Sequence, residues 1–374
     1  MQECFLMSEI PERLGGTEMK KESPYEKMLA LLDEYHRLGI AEQIDYQKFY
    51  LYSLITHSTA IEGSTVTEIE NQLLFDEGIS AKGRSIQEQM MNLDLKNAYE
   101  HSMQLARQHT DFSVEMLKAL SALVMKNTGS EYNTMQGTFD SSKGDLRLLG
   151  VTAGVGGSSY MNFLKVPAKL EEFCKQLNER RKALLLTDDV MAKYLLSFDA
   201  HFQLVTIHPW VDGNGRMSRL VMNHLQYEFG LIPSKIVKED KAEYIQSLID
   251  AREQETLVPY RDFMVEEHIR NLTREIESFK KSQGSDPINM LSDPINMASD
   301  PINVASDPIT EQLYQAILKD NTLNYAAYAD QIGVSEATVK RRLGELKKSG
   351  LIIRAGSNKK GHWKIVEHKT NRGV

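Results

Sequence analysis

The chain has 374 residues, 41% hydrophobic and 26% charged, with a formal net charge of −8. That balance suits two or three globular domains with a sizeable core, and no stretch approaches the roughly 18 apolar residues of a membrane span. Two cysteines, Cys4 and Cys174, lie far apart; they argue against a disulfide scaffold or a thiolate zinc site and fit a reducing cytoplasm.

Met1 to Thr17 mixes Glu, Arg and Pro and lacks the apolar core of a signal peptide, which agrees with a cytoplasmic location. Residues 20–110 read as an N-terminal helical region. Within it, Ile44 to Ile61 has helical spacing, with Phe49, Tyr52, Ile55 and Ile61 broadly on one face. Ser58 and Glu62 are four apart and point the same way, and Gly63 suits the position after the helix end. Alone, this is an ordinary helix end with a solvated glutamate that the dipole slightly opposes.

Residues 111–281 read as a second region. Glu115 to Lys126 and Val166 to Arg181 have the amphipathic pattern of core helices. Between them, Thr138 to Met161 reads as a hairpin with a glycine-rich tip, carrying Arg147, Leu148, Val151, Val155 and Tyr160. The tip, Gly154 to Ser159, lacks the Gly-Lys-Ser/Thr ending of a phosphate loop and is read as a mobile loop.

The densest chemistry lies in His208-Pro209-Trp210-Val211-Asp212-Gly213-Asn214-Gly215-Arg216-Met217-Ser218-Arg219. Asp188 to Ile207 before it and Arg216 to Phe229 after it both read as helices, and Gly230 with Pro233 stops the second. Gly213 and Gly215 allow φ > 0 and close backbone approach. The first amides of the second helix lack intrahelical acceptors and, with the helix dipole, suit a pyrophosphate. Asp212 at the mouth can hold magnesium through one carboxylate plus phosphate oxygens. Asn214 can donate to a phosphate oxygen. Arg216 and Arg219 share a helix face and suit bidentate phosphate binding. A neutral His208 can take the proton of an attacking hydroxyl. Asp-Gly-Asn-Gly alone would be an ordinary turn; the histidine before it and the two arginines after it point beyond that. His201 is expected to be a core hydrogen-bonding histidine.

These residues resemble the Fic family signature, His-Pro-Phe-x-Asp/Glu-Gly-Asn-Gly-Arg-x-x-Arg, with Trp210 in the place of Phe. The similarity spans about Val114 to Ile269. It implies a mainly α fold with a Fic-type helical core and a β-hairpin flap. It implies transfer of AMP from ATP to a Ser, Thr or Tyr hydroxyl of a target protein, the chain itself included. His208 would be the base and Asp212 the magnesium ligand. Gly213, Asn214 and Gly215 would form the anion hole, with Arg216 and Arg219 on the distal phosphates. Ser58 to Gly63 resembles the family's inhibitory helix, in which Glu62 would pair with Arg219 and hold ATP out of line. Thr138 to Met161 would be the flap, with Arg147, Val151, Val155 and Tyr160 holding an extended target by main-chain pairing. Two alternatives stay open: transfer of another phosphate-bearing group, such as UMP or phosphocholine, and a DNA-binding regulator whose core only senses nucleotide. A second copy of the chain is kept among the candidate partners; a membrane is not.

Arg261 to Lys281 reads as a charged helix with Phe263, Ile269, Leu272, Ile276 and Phe279 inward. Residues 282–309 read as a linker in which Ser-Asp-Pro-Ile recurs at Ser285, Ser292, Ser299 and Ser306. Proline in every unit argues against a coiled coil and for a semi-stiff spacer. Residues 310–374 carry 12 Lys/Arg against 6 Asp/Glu, a net of +6, which leaves −14 for the rest of a chain totalling −8. Three short helices and a two-stranded wing there resemble a winged helix-turn-helix domain, the Ile-Gly-Val-Ser-x-x-Thr-Val turn being the specific part. Ser335, Thr338, Lys340, Arg341 and Arg342 would meet DNA through the third helix. The same module used for protein contacts is the other reading.

Overall fold

The computed structural model describes residues 23–152 and 159–283, and beyond residue 312 the segments 323–332, 338–340, 352–355 and 362–365 with isolated positions between them. The chain divides into two compact units, Met1–Asp286 and Pro287–Val374.

The first unit is built from ten helices and one hairpin among the described residues. They are α1 (Pro24–Arg37), α2 (Tyr46–Ile61), α3 (Glu68–Glu77), α4 (Ile86–Arg107), α5 (Val114–Val124), β1 (Glu131–Thr134), β2 (Gly137–Asp140), α6 (Val166–Leu185), α7 (Val190–Ile207), α8 (Asn214–Glu228), α9 (Lys241–Glu253) and α10 (Val258–Gln283). Local chemistry explains several starts. Ser23 with Glu26, Thr67 with Glu70 and Ser85 with Glu88 form reciprocal capping boxes on α1, α3 and α4. Asp189 caps α7 by accepting from the Ala192 amide at 2.8 Å.

α7 and α8 form the centre, packed against each other across the loop that joins them, with α4 on α8 and α6 on α7. α1 lies along α10, and α9 also packs on α10. One hydrophobic core runs from Met28 and Tyr35 on α1 through Leu220 and Leu225 on α8 to Ile276 on α10. The regions 20–110 and 111–281 are therefore layers of one body. α2 and α8 are buried on nearly every side, in twelve of sixteen residues and thirteen of fifteen. A helix that is apolar all round belongs inside a protein.

A short hairpin precedes the one expected over Thr138 to Met161. β1 pairs antiparallel with β2, Glu131 opposite Asp140 and Thr134 opposite Gly137. Of the expected hairpin, the described part is a single antiparallel bridge, Thr152 to Ser159. Beside that bridge the Tyr160 amide donates to the Val151 carbonyl at 3.0 Å.

In the second unit, Tyr325–Ile332 forms α11, and Ile352–Ala355 (β3) pairs antiparallel with His362–Ile365 (β4), Ile352 opposite Ile365. Asn324 accepts from the Ala327 amide at 2.8 Å and starts α11. Tyr328, Val339, Leu343, Leu346 and Trp363 are in its core. Helical positions at 338–340, 342–343 and 346 fall on the expected third helix. The repeat linker lies outside the described residues.

Candidate functional site

α7 ends at His208, which adopts left-handed backbone (φ 51°, ψ 62°). That turn throws the chain out of the helix and starts the loop. Trp210 then plunges into the core, fully buried, and its indole donates to the Gly144 carbonyl at 3.1 Å. The Phe-to-Trp change thus adds a hydrogen bond to the expected packing. The Asn214 side chain accepts from the Trp210 amide at 3.1 Å and donates to the Trp210 carbonyl at 2.9 Å. Both ends of the amide thus brace the loop, a role beside the expected donation to phosphate.

Gly213 precedes α8 with φ 78°, and no side chain caps the helix. Its first amides are left without helical acceptors. Asp212 accepts from the Gly213 amide at 2.6 Å, lies 3.6 Å from Arg216, and keeps 62% of its side chain exposed. Arg216 is almost wholly buried, yet its contacts are poor: a long 3.5 Å bond to the Val124 carbonyl and the Met125 sulfur at 3.2 Å. Its Nε has no partner. Burial pushes this guanidinium below its usual range, against the pull of Asp212 and Glu62. A buried, under-bonded cation at a helix start suits an anion.

Arg219, one helical turn on, is saturated. It donates to Ser58 Oγ at 2.8 Å, to the Ser58 carbonyl at 3.0 Å and to Glu62 Oε1 at 2.5 Å. Burial works against both charges, but the pairing wins: Arg219 is raised and Glu62 is lowered from their usual ranges. Glu62 also sits over the helix start. A methyl group on Gly215 would lie 2.5 Å from Glu62 Oε1 and 3.1 Å from an Arg219 nitrogen. Only glycine admits the carboxylate there.

Glu62 is held by the end of α2, which a buried amide network fixes. Asn92 accepts from Thr59 at 2.8 Å and from Asn71 at 2.9 Å, and donates to Ser64 at 3.1 Å. Further back, Tyr50 donates to the Pro233 carbonyl at 2.6 Å. The helix is anchored along its length, while the Glu62 side chain itself is a third exposed.

His208 Nδ1 lies 3.2 Å from the Val205 carbonyl. A carbonyl can only accept, so Nδ1 carries the proton and Nε2 is left as the acceptor. Burial pulls this imidazole down to about 4, with Arg147 and Arg252 adding to the effect. It is a neutral base at pH 7.

Of the expected flap residues, Arg147 turns inward. Its guanidinium donates to the carbonyls of His208 and Leu149, both at 2.8 Å, and of Met161 at 2.5 Å. A buried guanidinium satisfied by three carbonyls staples the loop to the motif and has no face left for a target. Val151 accepts from the Tyr160 amide at 3.0 Å beside the bridge. Tyr160 stacks on His208. Val155 lies outside the described residues.

Sequence reasoning missed two residues, both on α9. Tyr244 places its hydroxyl in hydrogen-bonding contact with Arg219 and 3.0 Å from His201 Nε2. His201 also meets Tyr260 at 2.7 Å, and burial holds it neutral, as a core histidine. Arg252 reaches the Tyr160 ring. No local motif marks α9, because its residues reach the site only through the tertiary fold.

A cavity of about 260 Å³ opens between α1, α2, α4 and the far end of α8, bordered by Tyr50, Arg107, Tyr227 and Pro233. It is at the opposite end of α8 from the motif. Size does not mark the site here, because Glu62 occupies the room above Gly215.

In the second unit, Lys340 is exposed with its ammonium 5.4 Å from the Tyr325 ring, while Thr338 and Arg342 are half-buried. Ser335 and Arg341 lie outside the described residues. No described helix is long and apolar enough to cross a membrane.

A family model described as Fic/DOC matches residues 111–226, and one described as winged helix-turn-helix DNA-binding matches residues 306–353. Protein adenylyltransferase fic-1 of Caenorhabditis elegans is 25% identical over 257 residues, which cover 67% of this chain and 46% of that protein. Protein adenylyltransferase Fic of Drosophila melanogaster is 29% identical over 209 residues, covering 53% and 37%. The chain thus spans less than half the length of these relatives. The crystal structure of a Fic domain containing signaling protein from Bacteroides thetaiotaomicron superposes with a TM-score of 0.54 at 21% identity, covering 69% of this chain and 96% of that one. It is a likeness of fold.

Proposed function

We propose that this chain, which carries a Fic domain followed by a winged helix-turn-helix module, is a protein adenylyltransferase held at low activity by Glu62. The carrying observation is the contrast within one helix turn: Arg216 buried and under-bonded, Arg219 saturated by Glu62 above Gly215. A site built only for structure would satisfy both.

ATP places its phosphates at the uncapped start of α8, on the amides of Asn214 and Gly215 and on Arg216. His208 Nε2 takes the proton of a target hydroxyl. The oxygen attacks the α-phosphorus, the bond to the β-phosphate oxygen breaks, and pyrophosphate leaves as Arg216 and Arg219 carry its charge. Asp212 suits magnesium: it is a single, largely exposed carboxylate, and magnesium binds through one or two carboxylates plus phosphate oxygens. The ion would neutralise phosphate charge. While Glu62 holds Arg219, the γ-phosphate loses that partner and the α-phosphate is not presented in line.

The winged module binds DNA in this reading, supported by its family match, its net positive charge and the exposed Lys340. Binding that weakens steeply with salt is expected in a gel shift; no binding at any ionic strength ends that part. The enzyme is tested in a cell lysate with Glu62→Gly and ATP labelled at the α- or γ-phosphate. AMP transfer labels proteins only from the α-label, and mass spectrometry finds adenylylated Ser, Thr or Tyr. Label from the γ-position, or suppression by excess UTP with uridylylated peptides, contradicts it.

A further inference from the structure

The reaction above needs a fixed imidazole, yet the backbone does little to fix it. His208 stands just past the last turn of α7 in left-handed backbone. Among the described residues its one polar contact is the Val205 carbonyl at 3.2 Å, a single long hydrogen bond that sets the tautomer and restrains the ring only weakly.

Two side chains from elsewhere supply the rest. The Tyr160 ring lies on the imidazole with centroids 3.7 Å apart and planes 19° from parallel. On Tyr160 in turn sits Arg252, its guanidinium carbon 5.6 Å from the ring centroid. Both Tyr160 and Arg252 are tethered. The Tyr160 amide donates to Val151 at 3.0 Å, next to the Thr152–Ser159 bridge. Arg252 Nε donates to the Leu248 carbonyl at 3.1 Å, at the end of α9.

We infer that Tyr160, backed by Arg252, is a positioning residue that sets the plane of the His208 ring and leaves its Nε2 edge as the way in for a hydroxyl. This rests on the reading of His208 as the base. The stack joins three elements that carry different tasks: the loop that would hold a target, the end of α7, and α9, whose Tyr244 also touches Arg219. An arginine over the face of an aromatic ring is a favourable cation–π contact. It also disfavours a second positive charge nearby. The charged groups around His208 are Arg147 and Arg252, which oppose its protonation, and Asp212, which favours it. Covering one face with Tyr160 removes water from the imidazolium and acts with the arginines. The same contact therefore orients the ring and keeps it in its base form.

The test uses the full chain with Tyr160→Ala, Tyr160→Phe and Arg252→Met, each combined with Glu62→Gly. Histidine is labelled at Cε1, and the His208 resonance is identified by its loss in His208→Ala. In Tyr160→Ala the imidazole titration moves up by about one unit or more toward the ordinary range near 6.5. Diethylpyrocarbonate, read by peptide mass spectrometry, modifies His208 faster. Tyr160→Phe keeps the ring and returns both readouts toward the parent; Arg252→Met gives a smaller upward shift. Incorporation from α-labelled ATP falls about tenfold or more in Tyr160→Ala and is rescued by Tyr160→Phe. Tyr160 sits in a surface loop, and unchanged thermal unfolding separates the effect from misfolding. An imidazole that titrates and reacts as in the parent when Tyr160 is alanine overturns the inference. A shifted titration with no incorporation by any variant sinks the base reading instead, and leaves the stack's hold on His208 standing.

Discussion

Arg216 and Arg219 stand three residues apart on α8, both buried, in opposite states. Arg219 spends its donors on Ser58, the Ser58 carbonyl and Glu62. Arg216 has a stretched contact, a sulfur and an orphan Nε. A buried, poorly bonded charge destabilises a fold and persists only where something else requires it. The pair reads as one phosphate site, half filled by the protein's own carboxylate and half kept for a ligand. The helix that delivers the carboxylate is anchored at its end by buried amides and further back by the Tyr50 hydroxyl. In the proposed reading, release of inhibition is a movement of the Glu62 side chain, with α2 staying in place.

The comparison can be broken most decisively at the chemistry. With Glu62→Gly in the background, His208→Ala should lower AMP incorporation about 10²–10⁴-fold; retention of activity would leave both arginines without a reaction to serve. Next comes the occupied half. A charge-assisted pair contributes about 1.5–3 kcal/mol, so Glu62→Gly alone should raise incorporation by about 10- to 100-fold. Stability then separates the two arginines directly. Arg219→Met leaves Glu62 and Ser58 without their donor and should cost about 1–3 kcal/mol in denaturant unfolding. Arg216→Met removes an under-bonded charge and should leave stability unchanged or raised. Equal losses would mean the two sites do not differ. The smallest effect is in pH. Burial lowers His208 to about 4 and His224 and His268 to about 3, below the 6.5 of the unfolded chain. Below 6.5 the unfolded state binds more protons, so the stability these groups contribute is full above 6.5 and declines toward their folded values. At pH 6 each should weaken the fold by under about 1 kcal/mol.

Much of this was legible in the chain. The helices flanking the motif follow from period and caps: Asp188 to Ile207 was read against an observed Val190–Ile207, and the glycine-rich turn between the two helices stands where expected. The His201 core role was also legible, since a histidine between apolar neighbours on a buried helix needs local partners. Other features were not. That Trp210 engages both ends of the Asn214 amide is set by the loop's path. Arg147 falls within the expected flap, yet the fold offers it three inward carbonyls. The glycine-rich tip marks a real antiparallel turn, bridged from Thr152 to Ser159, whereas the short hairpin of Glu131–Thr134 and Gly137–Asp140 before it carries no comparable signal. Tyr244 and Arg252 meet the site from an unremarkable helix, a matter of tertiary path that no local pattern encodes.

The account turns on Glu62 occupying a phosphate position beside a working base. The most direct measurement is incorporation of α-labelled AMP by four purified full-length proteins side by side: the parent, Glu62→Gly, His208→Ala and the double variant. Low signal in the parent, a rise of about 10-fold or more in Glu62→Gly, and loss of that rise in the double variant are the predicted pattern. A Glu62→Gly protein that labels nothing beyond the parent, or a double variant as active as the single one, contradicts it.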